Sequence, residues 1–264
     1  MDHARRARRS AGVSLLLTGW QKRRSMATPL EQTFTISRPT GRGSATRRLA
    51  LIVGNAKYPV NPLRNAVNDA SDMHEALKKL GFETQLLTNA TFEQMEDAID
   101  AFSRKLRQGG VGLFYYAGHG VQIDGQNYLI PVDAPLQSVA MVKYRSVSAT
   151  GLRERMADAG NELNIIILDA CRENVLMREA RSVQRGLAII QAAQGSLIAY
   201  ATAPGDVALD GSERERNGVY TKYLLRYITQ KGLPVEDLFK RVRIGVKEAT
   251  KGKQDLLGVL LTGR

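Results

Sequence analysis

The chain has 264 residues, 43% of them hydrophobic and 24% charged, with a formal net charge of +12 and a single cysteine. That length can bury a full core as one soluble domain with extensions, and no apolar run is long enough for stable membrane insertion. One cysteine excludes intramolecular disulfides, and no Cys-x-x-Cys or His cluster suggests a metal site. The charge is unevenly spread: residues 1–48 hold eleven Lys and Arg against Asp2 and Glu31, a net +9, which leaves +3 for the other 216 residues. The basic excess belongs to a tail and not to a groove, so no nucleic-acid partner is expected.

Residues 1–46 lack sustained periodicity and read as a basic, flexible N-terminal extension. The apolar stretch Val13–Leu17 follows Arg8-Arg9 as in a targeting peptide, but it is short and runs into Lys22-Arg23-Arg24. Translation from Met26 would remove it altogether. A cytoplasmic location is expected, with export as the alternative if this segment acts as a signal.

The ordered part begins with Arg48–Asn55, an apolar run closed by Gly54-Asn55: a buried strand and a sharp turn. After the loop Lys57–Pro62, Met73, Ala76, Leu77 and Leu80 recur at helical spacing, and Gly81 stops the helix. A strand near Phe82–Leu87 and a capped helix from Thr91 follow, with Met95, Ala98, Ile99, Phe102 and Leu106 on one face. Val111–Tyr116 reads as the next buried strand, with His119 in the loop just past it. Val121–Pro131 reads as a hairpin about Asp124-Gly125. A helix over 148–159 leads to Ile165–Leu168, three of its four residues β-branched, which suits a strand buried on both faces. That run stops in polar residues at Asp169-Ala170-Cys171. A further strand covers Ser196–Ala201, and helices cover 218–229 and 235–250. The alternation is that of a doubly wound α/β fold.

In such sheets ligands bind beyond the carboxyl ends of the strands, and neighbouring strands lie about 4.8 Å apart. Cys171 and His119, 52 residues apart, are separated by enough chain to end adjacent parallel strands. An imidazole beside the thiol raises its thiolate fraction, and the amides of Gly120 and Cys171 could bind an oxyanion. Singly, each residue has a plainer reading: a lone cysteine is usually a small buried side chain, a lone histidine a satisfied polar group.

The segments Phe114–Gly120 and Asp169–Asn174 resemble the His and Cys motifs of the caspase-like cysteine peptidases, and among these the bacterial metacaspase-type proteins, or orthocaspases. Caspases carry the His about 50 residues upstream of the Cys, so the spacing is a match to the family. The resemblance runs from about Arg48 to about Gln254. It implies a three-layer sandwich with a mostly parallel central sheet, occupying 47–264. That domain would divide into a large portion to about 174, a processing linker over about 175–187 and a small portion over about 188–264.

It further implies an endopeptidase without cofactor, in which His119 and Cys171 form the catalytic dyad and Gly120 and Cys171 the oxyanion hole. Metacaspase-type members cut protein or peptide chains after Arg or Lys. Asp69 and Asp169 match acidic pocket positions, and two carboxylates would pair with a guanidinium. Their plainer readings are a helix N-cap for Asp69 and a buried acceptor of backbone N–H groups for Asp169. Thr202, Pro204 and Asp210 are expected to line the substrate cleft. Arg178, Arg181 and Arg185 are candidate self-cleavage positions, since exposed segments are where nicking concentrates.

The sequence departs from relatives in three places. Ser138–Val142 stands where calcium-dependent members carry acidic residues, and Asp133 alone is not a calcium site, so calcium independence is expected. Ala117 replaces a serine found in some relatives. The end, Lys253–Gly258, lacks a Pro/Trp pattern common in bacterial ones. Three alternatives stay open: a catalytically silent caspase-like binding or signalling module, another hydrolase or nucleotide-binding protein with Gly54-Asn55 at a phosphate, and a tail that attaches to membrane or nucleic acid. The oligomeric state is not readable.

Overall fold

The computed structural model describes residues 46–171, 183–184, 187–192, 195–202, 215–254, 256 and 260–261; at 171, 183, 184, 260 and 261 the backbone alone is described. In chain order the elements are β1 (Arg48–Gly54), α1 (Ala66–Lys79), β2 (Glu83–Thr88), α2 (Phe92–Leu106), β3 (Val111–Ile123), β4 (Gln126–Leu129), α3 (Val139–Tyr144) and β5 (Val147–Ser148). They continue with α4 (Ala149–Ala157), β6 (Leu163–Cys171), β7 (Val183–Gln184), β8 (Ser196–Tyr200), α5 (Val219–Ile228), α6 (Val235–Ala249) and β9 (Leu260–Leu261).

The main sheet has the order β2-β1-β3-β6-β8-β9. Its first five strands are mutually parallel and β9 is antiparallel to β8. Side-chain alternation divides its core in two. Ile52, Leu113, Tyr115, Ile165, Ile167 and Leu197 pack on the side of α1, α5 and α6. Leu51, Val53, Phe114, Tyr116, Ile166, Leu168 and Ile198 pack on the side of α2 and α4. This is the expected three-layer α/β sandwich. Ile166, Ile167 and Leu168 are at most 2% exposed, and burying each such side chain contributes about 1.5–3 kcal/mol. The β-branched run is therefore what pins the central strand.

Local signals hold where the chemistry is strong. Thr91 and Gln94 form a reciprocal capping box at the start of α2, and Asp124 and Gly125 take the positive φ values (50° and 76°) of a primed hairpin turn between β3 and β4. Two expectations change. Strand β3 does not end before His119 but runs thirteen residues to Ile123. It leaves β1 after Ala117, stays paired with β6 through residue 119, and then pairs with β4 and β7. His119 is thus a strand residue and not a loop residue. Helix α1 begins at Ala66, with Asn65 before it; Asp69 lies in its first turn, which excludes the N-cap reading. The short α3, β5, β7 and β9 carry no periodic signal of their own and were not expected.

Candidate active site

The His strand and the Cys strand are in direct register. In the parallel β3–β6 ladder His119 is paired with Cys171, and Ala117 with Asp169. The glycines around the histidine are there for space. A Cβ at Gly118 would fall 2.5 Å from the Tyr116 hydroxyl and 2.7 Å from that of Tyr58; one at Gly120 would fall 2.9 Å from the Ala170 Cβ. Real side chains do not pack that closely, so Gly-His-Gly is the sequence that lets two phenols and a neighbouring strand close on the histidine.

The imidazole of His119 is wholly buried. Its Nε2 lies 2.6 Å from the Asn61 carbonyl oxygen, and the Tyr58 ring tilts over it with 4.3 Å between centroids. A carbonyl only accepts, so Nε2 carries a proton, and when the ring is neutral its lone pair is at Nδ1. The loop that brings Tyr58 and Asn61 is itself tied down. The His119 N–H donates to the Tyr58 hydroxyl (3.0 Å), which donates to the Ile130 carbonyl (2.9 Å). Tyr116 donates to the His119 carbonyl at 2.7 Å. The Asn89 side chain accepts from the Ala56 and Lys57 amides. Buried Asn55 accepts from the Ala90 amide and donates to Ile130, so its side chain is spent inside the fold and not at a phosphate.

Because the Ile130 N–H bonds the His119 carbonyl (3.0 Å), the Gly120–Leu129 pair is the kind that exchanges no ladder bonds. The Gly120 amide therefore turns away from β4.

A second cluster lies on the α1/α5 side. Asp69 and Asp169 are 3% and 7% exposed. The Gly218 N–H, at the start of α5, donates to both Asp69 oxygens at 3.0 and 3.3 Å. The Thr221 hydroxyl donates to Asp169 Oδ2 at 2.6 Å and lies 2.6 Å from the Tyr115 hydroxyl. Burial first, then the charges of Asp169 and Asp69, push the Tyr115 phenol well above the usual tyrosine range. Burial and Asp169 do the same to Tyr220. Both carboxylates are also held by the first turn of α5, at Gly218 and at Thr221. At the rim Arg216 forms a two-pronged pair with Asp72 (2.9 and 2.8 Å), which holds the Asp72 carboxyl below its ordinary value.

A model of the caspase domain matches residues 47–255. The chain belongs to the caspase family. It is 30% identical over 220 residues to human mucosa-associated lymphoid tissue lymphoma translocation protein 1, covering 80% of this chain and 25% of that protein. The mouse homologue of the same protein is 30% identical over 225 residues, 82% of this chain and 26% of its own length. The chain therefore spans about a quarter of the curated relatives it matches. Membership supports a cysteine peptidase in general.

Among the residues singled out in the sequence, the backbone of Cys171 lies beside His119 in the β3–β6 ladder, and Asp69 and Asp169 are both held by the first turn of α5. Thr202 is buried, next to Ala201, whose carbonyl accepts from the Gln254 side chain at 2.8 Å. That bond gives the atypical C-terminal tail a role in fixing the end of β8. Arg178, Arg181, Arg185, Pro204 and Asp210 lie outside the described residues. Asp133 caps α2 through the Phe92 amide (2.8 Å) and faces Arg145. Among the described residues no cluster of His, Cys, Asp or Glu could hold a metal ion, and no helix is long and apolar enough to cross a membrane. Sequence reading missed Tyr58, Asn61, Tyr115 and Thr221. The Tyr115-Tyr116 pair inside a buried strand was the available signal, since buried phenols need partners.

Proposed function

We propose that this chain is a metacaspase-type cysteine endopeptidase that cuts protein chains after Arg, and less readily after Lys, without a cofactor. The register pairing of His119 with Cys171 carries the reading. The Cys171 thiol gives its proton to His119 Nδ1, and the thiolate attacks the scissile carbonyl carbon. The Gly120 and Cys171 amides take the negative charge of the oxyanion. The imidazolium then protonates the leaving amine as the C–N bond breaks. Water, deprotonated by His119, hydrolyses the resulting thioester. Asn61 keeps the ring in the tautomer that makes Nδ1 the base.

The preference for a basic residue rests on Asp69 and Asp169. Two carboxylates buried close together are costly, and a guanidinium with its paired N–H donors offsets that cost better than the single ammonium of Lys. Thr202, Pro204 and Asp210 complete the cleft in this reading, and Arg178, Arg181 and Arg185 are the bonds the enzyme cuts in itself.

The deciding experiment is hydrolysis of a peptide set that varies only the residue before the scissile bond, with Cys171→Ala as control. Cutting after Arg, lost in the variant and unchanged by chelator, is the expected result. Preferential cutting after Asp overturns the acidic-pocket argument. No cutting of any peptide leaves the catalytically silent module as the reading.

A further inference from the structure

We infer that Thr221 is a specificity-determining positioning residue: with Tyr115 behind it, its hydroxyl orients the Asp169 carboxylate for a cationic side chain. The inference rests on the Arg-cutting reading above and deepens it.

The first turn of α5 touches both acidic groups. Its leading amide, at Gly218, is held by Asp69, and Thr221 three residues later is held by Asp169. One short stretch of backbone therefore sets the spacing of two carboxylates that come from different elements, α1 and β6. The hydrogen bonds also have a direction. Thr221 has a single hydroxyl proton, and it goes to Asp169 Oδ2 at 2.6 Å. The Tyr115 hydroxyl, 2.6 Å from Thr221 Oγ1, must then be the donor in that contact. Tyr115 is fully buried and stays protonated, so the order Tyr115 to Thr221 to Asp169 is fixed, with Asp169 Oδ2 as the final acceptor.

The consequence is geometric. A hydroxyl bound to Oδ2 restrains the rotation of the Asp169 carboxylate and so favours one direction for Oδ1. A planar guanidinium is the ligand most sensitive to that direction, because its N–H donors are themselves fixed. A carboxylate without that restraint would retain the charge and be less well aligned. Thr221, which is wholly buried, acts through Asp169 and does not touch the reacting atoms.

The test compares the full chain with Thr221→Val, which keeps the shape and removes the hydroxyl, Thr221→Ser, which restores it, and Tyr115→Phe. Substrates are three peptides identical except for Arg, Lys or citrulline before the scissile bond, citrulline being the neutral shape-mimic of Arg. The expected outcome for Thr221→Val is a KM for the Arg peptide raised about tenfold to a hundredfold, the range of a lost hydrogen bond to a charged group, with kcat changed less than about threefold. The Lys peptide should lose less, citrulline turnover should not change, and Thr221→Ser should recover most of the Arg preference. Tyr115→Phe, one oxygen smaller, should shift the Arg KM in the same direction by a smaller factor, and serves if the valine variant does not fold. Equal losses for all three peptides, a fall confined to kcat, or no change in either variant overturns the inference. If the unaltered chain shows no preference for Arg, the underlying specificity reading has failed instead.

Discussion

Asn61 holds His119 from outside its strand: its carbonyl oxygen lies 2.6 Å from Nε2, and it does so from a left-handed backbone conformation, φ 53°. Asparagine tolerates that region and β-branched residues do not. Asn61→Gly should therefore keep the carbonyl in place and retain activity within about threefold, whereas Asn61→Val should lose about 1–2 kcal/mol of stability and much of kcat. Steady-state kinetics on both variants, with denaturant unfolding alongside, checks the pair.

Tyr58→Phe removes a hydroxyl that accepts from the His119 amide and donates to the Ile130 carbonyl, while leaving the ring over the imidazole. Two buried partners lose a bond at once. The expected cost is about 1–3 kcal/mol, read as a lower urea midpoint with an unchanged slope.

Gly118→Ala is expected to be worse than its size suggests. The added methyl would meet two phenol oxygens at 2.5 and 2.7 Å, and both belong to the network that fixes His119. Overpacking of this kind costs about 1–3 kcal/mol, and kcat should fall with it. Gly125→Ala, where nothing lies within 4 Å of the new Cβ, is the control for backbone strain at a positive φ without a clash.

The Arg216–Asp72 pair predicts a pH dependence. Hydrogen bonding by Arg216 holds the folded Asp72 carboxyl below its ordinary 3.8. A depressed folded value means the pair stabilises fully above the unfolded value and loses its contribution as pH falls through the folded one. The stability difference between the unaltered chain and Asp72→Asn should thus be constant from about pH 5 to pH 7 and shrink below about pH 3.8. Added salt should reduce it at every pH, since Arg216 is largely exposed. Thermal unfolding across that range measures both.

Much of this protein was legible before any coordinates. The β-branched run at Ile165–Leu168, the helical spacing of Met73, Ala76, Leu77 and Leu80, and the Thr91 cap are local statements, because burial and capping act over a few residues. The pairing of His119 and Cys171 was likewise readable from their order and spacing at the ends of two apolar runs. What lay beyond the sequence was the set of side-chain contacts that hold the groups at the strand ends. Residues 61 and 119, or 169 and 221, share no periodicity and no motif; the loop after β1 brings the first pair together, and the packing of α5 on the sheet face brings the second. The same packing turned His119 from an expected loop residue into a strand residue, since β3 could run past the edge of β1 only where Gly118 and Gly120 left room. Composition and pattern thus determined the strands, the helices and the chemical types at the strand ends. Tertiary packing decided their orientation, because a hydrogen bond requires two atoms at one place and the chain order of those atoms says little about where that place is.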